Sequence, residues 1–364
     1  MTEMLTILQQ LKISCLSSGI RITKIAENKL SNGGSVPLSI HEYATTGGVT
    51  MLLEGGIYIN APFDEWYCDS PEAILTLEES SDEYVVHFRG NDFHAELLPL
   101  PGYLEMNDSD GNPVKDTTMS HADRVRISPI FGCSFKCEFC DFYKQRYVCR
   151  PVKQILEGLT IARKDKLLPV KHVVISGGTP SQRDYGYIDE VYERVIRSSD
   201  IPVDVMLAPR KDDIIDRLAD WGIYGYSINI EIYNEGIAGR IAPHKKRIGL
   251  DQYAATIARA VQQVGGQGRV RSLLLVGLEP EESTLKGVEF LAQLGCDPVL
   301  SPFRPAAGTP LEHLRPPTTE QLENIYLKSL DIVEHYGVKL GPRCIPCQHN
   351  TLTFPIKNGG YYYS

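Results

Sequence analysis

Three cysteines on one short loop constrain this chain more than any other feature. In Phe131-Gly132-Cys133-Ser134-Phe135-Lys136-Cys137-Glu138-Phe139-Cys140-Asp141-Phe142 the thiols are separated by three residues and then by two. A loop with that spacing can wrap three corners of a cubane iron–sulfur cluster and leave the fourth iron open to a small molecule. Zinc sites usually pair two C-x-x-C units or add His at regular spacing, and neither pattern accompanies this loop. Buried free thiols are the plain alternative, because Cys is often interior. The polar neighbours Ser134, Lys136, Glu138 and Asp141 do not suit a core segment.

A chain of 364 residues has room for one large domain and a smaller one. With 42% hydrophobic and 23% charged residues it has the composition of an ordinary globular enzyme. The net charge of −9, from 37 basic and 46 acidic residues, argues against a nucleic-acid partner. The short runs His244-Lys245-Lys246-Arg247 and Arg269-Val270-Arg271 read as solvated faces. No apolar stretch approaches the roughly 20 residues that span a bilayer, so no membrane partner is expected. The start, Met1-Thr2-Glu3, lacks a basic region followed by an apolar core. Nine cysteines, three of them at ligand spacing, favour metal-bound thiols in a reducing cytoplasm over a disulfide framework.

Three segments follow from the pattern. Residues 1–120 read as a small β-rich accessory domain. It holds a short helix around Met4–Leu11, a hairpin at Val49–Ile59 turning on Gly55-Gly56, and a strand at Tyr84–Phe88. Residues 121–340 alternate strand and helix. Strands are expected at Val125–Ile130, Lys171–Ser176, Val203–Leu207, Tyr226–Glu231, Val270–Val276 and Pro298–Pro302. Helices are expected over 151–164, 187–198, 211–221, 251–264, 281–294 and 318–336. Apolar strands each followed by a helix make a parallel sheet, as a barrel or partial barrel with its chemistry at the C-terminal strand ends. Residues 341–364 close the barrel with Cys344-Ile345-Pro346-Cys347 and end in an aromatic tail, a candidate cap or subunit contact in a homodimer.

The cysteine spacing, the aromatic Phe139 before the last Cys, and the order of elements over roughly residues 124–340 resemble the radical SAM superfamily. The resemblance implies an α/β fold, a partial (β/α)6 radical SAM-type barrel beside the accessory domain. It implies a [4Fe-4S] cluster on Cys133, Cys137 and Cys140, whose open iron chelates the amino and carboxylate groups of S-adenosyl-L-methionine. An electron from a donor such as flavodoxin or ferredoxin then yields a 5′-deoxyadenosyl radical.

The ends of the later strands carry the other candidates. Ser176-Gly177-Gly178-Thr179-Pro180 frees backbone groups for a close ligand and resembles the family's glycine motif for the amino group of the cofactor, with Thr179 where Glu is common. Alternation places Ser227, Asn229 and Glu231 on one face. By resemblance Asn229 and Glu231 serve the ribose or carboxylate site, and Arg240 is a partner for the carboxylate or for Glu231 itself. Gly277 falls where the family contacts adenine through backbone groups, or simply eases a turn. Phe303-Arg304-Pro305-Ala306-Ala307-Gly308-Thr309-Pro310-Leu311 looks like the same region of the biotin synthase-like branch, with Arg304 expected at the barrel mouth to hold an anionic substrate.

Cys344 and Cys347 are a second candidate site. An auxiliary cluster, zinc with His349 near by, a redox pair and inert thiols all remain open. The sequence therefore points to a radical enzyme acting on a small molecule, by rearrangement, decarboxylation, elimination or sulfur insertion. A non-catalytic iron–sulfur carrier is the alternative.

Overall fold

The computed structural model describes residues 5–32, 47–78, 80–266 and 268–355, so the aromatic tail expected to cap the barrel lies outside the described residues. Helix α1 (Ile7–Ser18) opens the chain, capped by Thr6, whose hydroxyl accepts from the Gln9 amide. Strand β1 (Ile20–Ile22) and helix α2 (Lys24–Asn32) follow. Then come β2 (Val49–Leu53), β3 (Ile57–Ala61), β4 (Ala73–Glu78), β5 (Glu83–Phe88) and β6 (Asn91–Leu97). These six strands form one sheet in the order β1-β4-β5-β6-β2-β3, with β1 and β4 parallel and the other neighbours antiparallel. The expected Gly55-Gly56 hairpin is β2–β3.

The larger sheet has seven strands. Strand β7 (Thr118–His121) pairs antiparallel with β8 (Arg124–Ile127). The boundary expected after residue 120 thus falls inside a strand that belongs to the larger sheet. A two-residue ladder, β9 (Ile130–Phe131) with β10 (Val148–Cys149), comes next and precedes α3 (Val152–Ala162). The chain then alternates β11 (His172–Ile175), α4 (Tyr185–Ser198), β12 (Val203–Met206), α5 (Ile214–Trp221) and β13 (Gly225–Ser227). After three helices, α6 (Glu235–Ile241), α7 (Pro243–Ile248) and α8 (Leu250–Val264), come β14 (Val270–Val276), α9 (Glu281–Gln293), β15 (Asp297–Pro302) and α10 (Thr319–His335). The order is β15-β14-β13-β12-β11-β8-β7, with the six strands from β8 to β15 parallel. This is the expected partial barrel: central strands such as His172–Ile175 are buried at every position because helices cover them. Helices α6 and α7 were not expected, and strand β13 is shorter than the run Tyr226–Glu231.

One apolar core runs from Leu11, Leu16 and Met51 in the smaller unit to Val173, Leu274 and Leu300 in the barrel. Lys12, fully buried on α1, ties that helix to the segment after α10 by donating to Gln348 O at 2.8 Å and Thr353 O at 2.7 Å.

Candidate active site at the strand ends

The cysteine loop leaves the sheet at the end of β8, and the β9–β10 ladder closes its base. It is bonded to the turn after β11. Ser134 N–H donates to Thr179 O at 3.0 Å, and Thr179 N–H donates back to Cys133 Sγ at 3.1 Å. Phe135 N–H is a second donor to the same sulfur, at 3.3 Å. Gly178 makes this approach possible, since a Cβ there would stand 1.6 Å from Gly132 O. The far side of the loop is gripped by α6 and α7. Glu138 N–H donates to Ile241 O at 2.8 Å, Lys136 N–H to His244 Nδ1 at 3.2 Å, and the Phe135 ring stacks on His244 at 5.3 Å. Cys137 and Phe139 pack with Ile232, Leu275 and Phe303 in a small apolar cluster of their own.

Beyond β13 the chain slips by one residue against β14. Ser227 stands opposite Arg271, but Glu231 stands opposite Leu274. The extra residue is a bulge, and Ile230 N–H bonds the Ser272 hydroxyl at 3.1 Å instead of a ladder carbonyl. Glu231 itself adopts a left-handed φ of 63°, uncommon outside glycine. Bulges of this kind re-aim side chains, and here Asn229 and Glu231 both reach the cavity. Asn229 Oδ1 is already engaged, accepting from the Ser227 hydroxyl at 2.9 Å and from Leu273 N–H at 3.2 Å. Lys245 of α7 donates to Asn229 O at 2.7 Å and lies 3.4 Å from Glu231 Oε2. Burial depresses the Lys245 ammonium, but Glu231, with Tyr253 and Cys137 adding to it, raises the group above its ordinary value.

These residues line one cleft of about 850 Å³, counting its open mouth. Cys133, Cys137, Cys140, Phe135, Phe139, Gly177, Gly178, Thr179, Asn229, Glu231 and Lys245 all face it. Burial pushes the Cys137 thiol up, with Glu231 adding to it, and carries Cys140 to about 12. Buried thiols become thiolates only beside a cation. Two amide donors on Cys133 and three thiols around open space form a donor set that fits an iron–sulfur cluster.

Three of the expected residues are elsewhere. Arg240 is exposed on α6, and the partner of Glu231 is Lys245. Gly277 is exposed at the end of β14, where a φ of 102° and Pro317, 2.9 Å from a Cβ placed there, require glycine. Arg304 does not reach the barrel mouth. It is 3% exposed, donates to Asn60 Oδ1 at 2.8 Å and to the carbonyls of Asn60 and Gly47, and so joins the segment after β15 to β3.

Lys245 was missed. It lies in the run read as a solvated face, which the structure divides: Lys246 pairs with Glu235 at 2.7 Å, Arg247 is exposed, and Lys245 turns inward. Its clue was position, on a segment that follows a polar-inward strand.

At the opposite ends of the strands lies a second cluster. The ligand atoms of His172, Cys344 and Cys347 all fall within 4.8 Å of one another. The expected histidine, His349, is not among them. Its Nδ1 faces Pro346 O at 2.9 Å and its ring lies against His121. Cys344 lowers the Cys347 thiol, with His172 and Arg124 helping, whereas burial raises Cys344.

Residues 127–291 match the model of the Radical SAM superfamily. No curated protein matches the chain. Among solved structures, it resembles HydG, a maturase of the [FeFe]-hydrogenase, at 15% identity and TM-score 0.48, over 58% of this chain and 49% of that one. It resembles methylornithine synthase (PylB) at 15% identity and TM-score 0.47, over 66% and 78% of the two chains. A radical SAM methyltransferase from Sphaerobacter thermophilus matches at 15% identity and TM-score 0.48, over 74% and 76%. The chain spans about half the length of HydG.

Proposed function

From the match of residues 127–291 to the Radical SAM superfamily model, we propose that this chain binds a [4Fe-4S] cluster through Cys133, Cys137 and Cys140 and S-adenosyl-L-methionine in the cleft beside them, and abstracts hydrogen from a small molecule. The cofactors would supply the chemistry, reductive cleavage of a C–S bond of S-adenosyl-L-methionine to a 5′-deoxyadenosyl radical, with the electron from an external donor.

The residues of the chain bind and position. The amides of Phe135 and Thr179 stabilise the charge of the Cys133 thiolate. Phe135 and Phe139 line the cleft beside the thiols with apolar surface. Glu231 is an acceptor for ribose hydroxyls or an ammonium group, held at the bulge with Lys245 beside it. Gly177 and Gly178 leave the wall after β11 free of side chains, so a ligand can lie against backbone.

One observation carries this reading: the three cysteines of one loop and the Glu231–Lys245 pair share a single cleft. The test is anaerobic reconstitution, reduction in the presence of S-adenosyl-L-methionine, and chromatography for 5′-deoxyadenosine and methionine. The native chain is expected to form both, and Glu231→Ala to lose at least tenfold in rate. A cluster-loaded native chain that cleaves nothing yet passes its iron to an acceptor protein would make it a carrier instead.

A further inference from the structure

The cluster at the base of the barrel consists of ligands without an assigned ligand role. His172 is the first residue of β11, whereas Cys133 and Thr179 stand at the other end of the sheet. At about 3.3 Å of rise per residue, the five residues from His172 to Gly177 set the two places roughly 15 Å apart. Cys344 and Cys347 arrive from the segment after α10. A turn with Cys347 N–H donating to Cys344 O at 3.1 Å brings the two thiols to one side. Cys344 is 3% exposed.

The surroundings of His172 match those of a metal-bound imidazole. Its Nε2 lies 3.1 Å from Asp204 Oδ2, and Asp204, with no exposed surface, is held in turn by Arg271 Nη1 at 2.7 Å. A carboxylate behind the ring orients a ligating histidine and leaves the other nitrogen to the metal. Asp123 lies near this cluster but is not one of its three mutually close donors. Asp123 precedes Arg124, the residue paired with His172 in the sheet, and its main-chain carbonyl accepts from Lys171 N–H at 2.7 Å. Its carboxylate feels both thiols electrostatically, and its Oδ1 is buried without a hydrogen-bond partner.

We propose that Cys344, Cys347 and His172 bind one zinc-class divalent ion that staples the segment after α10 to the base of the barrel. Two thiolates and an imidazole are a donor set that suits zinc. This ion is separate from the radical centre, and either assignment can fail without the other.

The test begins with a full-length chain carrying Cys133→Ala, Cys137→Ala and Cys140→Ala, which removes the three loop ligands. Elemental analysis after anaerobic purification is expected to give about one zinc per chain, as structural sites hold their ion tightly. His172→Ala or Cys347→Ala should lower it at least fivefold, and His349→Ala should leave it unchanged. If the ligand variants do not fold, the triple variant with His172, Cys344 and Cys347 intact still decides. After chelation and refilling with Co²⁺ it should show sulfur-to-cobalt charge transfer and the visible bands of tetrahedral cobalt. Absence of metal, a Cys344–Cys347 disulfide, or iron with sulfide in the triple variant would each overturn the proposal.

Discussion

Lys245 and Glu231 show how much one buried charge depends on its neighbour. Their side chains retain 13% and 17% of their surface, and Lys245 also satisfies the carbonyl of Asn229. Lys245→Met would leave a carboxylate and a carbonyl without their cation, at a cost on the order of 3 kcal/mol. The double variant Lys245→Met, Glu231→Gln should recover most of that loss in urea denaturation, because the uncompensated charge is gone. Additive losses would show that the two side chains act independently. The same reasoning explains Arg304. A cation expected to meet substrate is spent on holding Asn60, since a buried guanidinium needs several acceptors and β3 supplies them.

At the scale of elements, the site rests on two local departures from regular structure. The bulge between β13 and β14 turns Glu231 toward the cleft, and the turn after β11 presses against the cysteine loop at Gly178. Gly178→Ala would force Gly132 and Cys133 away, and over-packing of this kind costs about 1–3 kcal/mol. Because the strain falls on the loop rather than the barrel core, iron uptake on reconstitution should drop several-fold while the thermal midpoint moves little. Normal iron uptake by the variant would refute the close contact.

At the scale of the molecule, the six-stranded sheet and the barrel share one core, and Lys12 bonds the first helix to the last described segment. Burial lowers Lys12 from about 10.4 to about 7. Between those values the unfolded chain holds a proton that the folded chain has released. Folded stability therefore rises with pH across that window, by up to about 1.4 kcal/mol per unit, and is flat below pH 7 on this account. As a neutral amine Lys12 keeps two N–H donors, matching its two carbonyl partners. The thermal midpoint of the native chain, measured against Lys12→Met, should gain steadily from pH 7 to pH 9. Parallel curves would mean that Lys12 stays charged.

Much of this was legible in the residues. The cysteine spacing, the six parallel strands and the glycines after β11 are local patterns, and apolar periodicity with turn chemistry places them to within a few residues. The sequence by itself determined that loop, that α/β order and the polar residues after β13. Only the tertiary structure decided which residues share a cleft. Lys245 turned inward, Arg240 stayed outside, Arg304 served the accessory unit, and His172 rather than His349 joined Cys344 and Cys347. The reason is physical. Periodicity reports which face of an element is apolar, whereas the partner of a buried charge or thiol depends on contacts between residues tens to hundreds of positions apart.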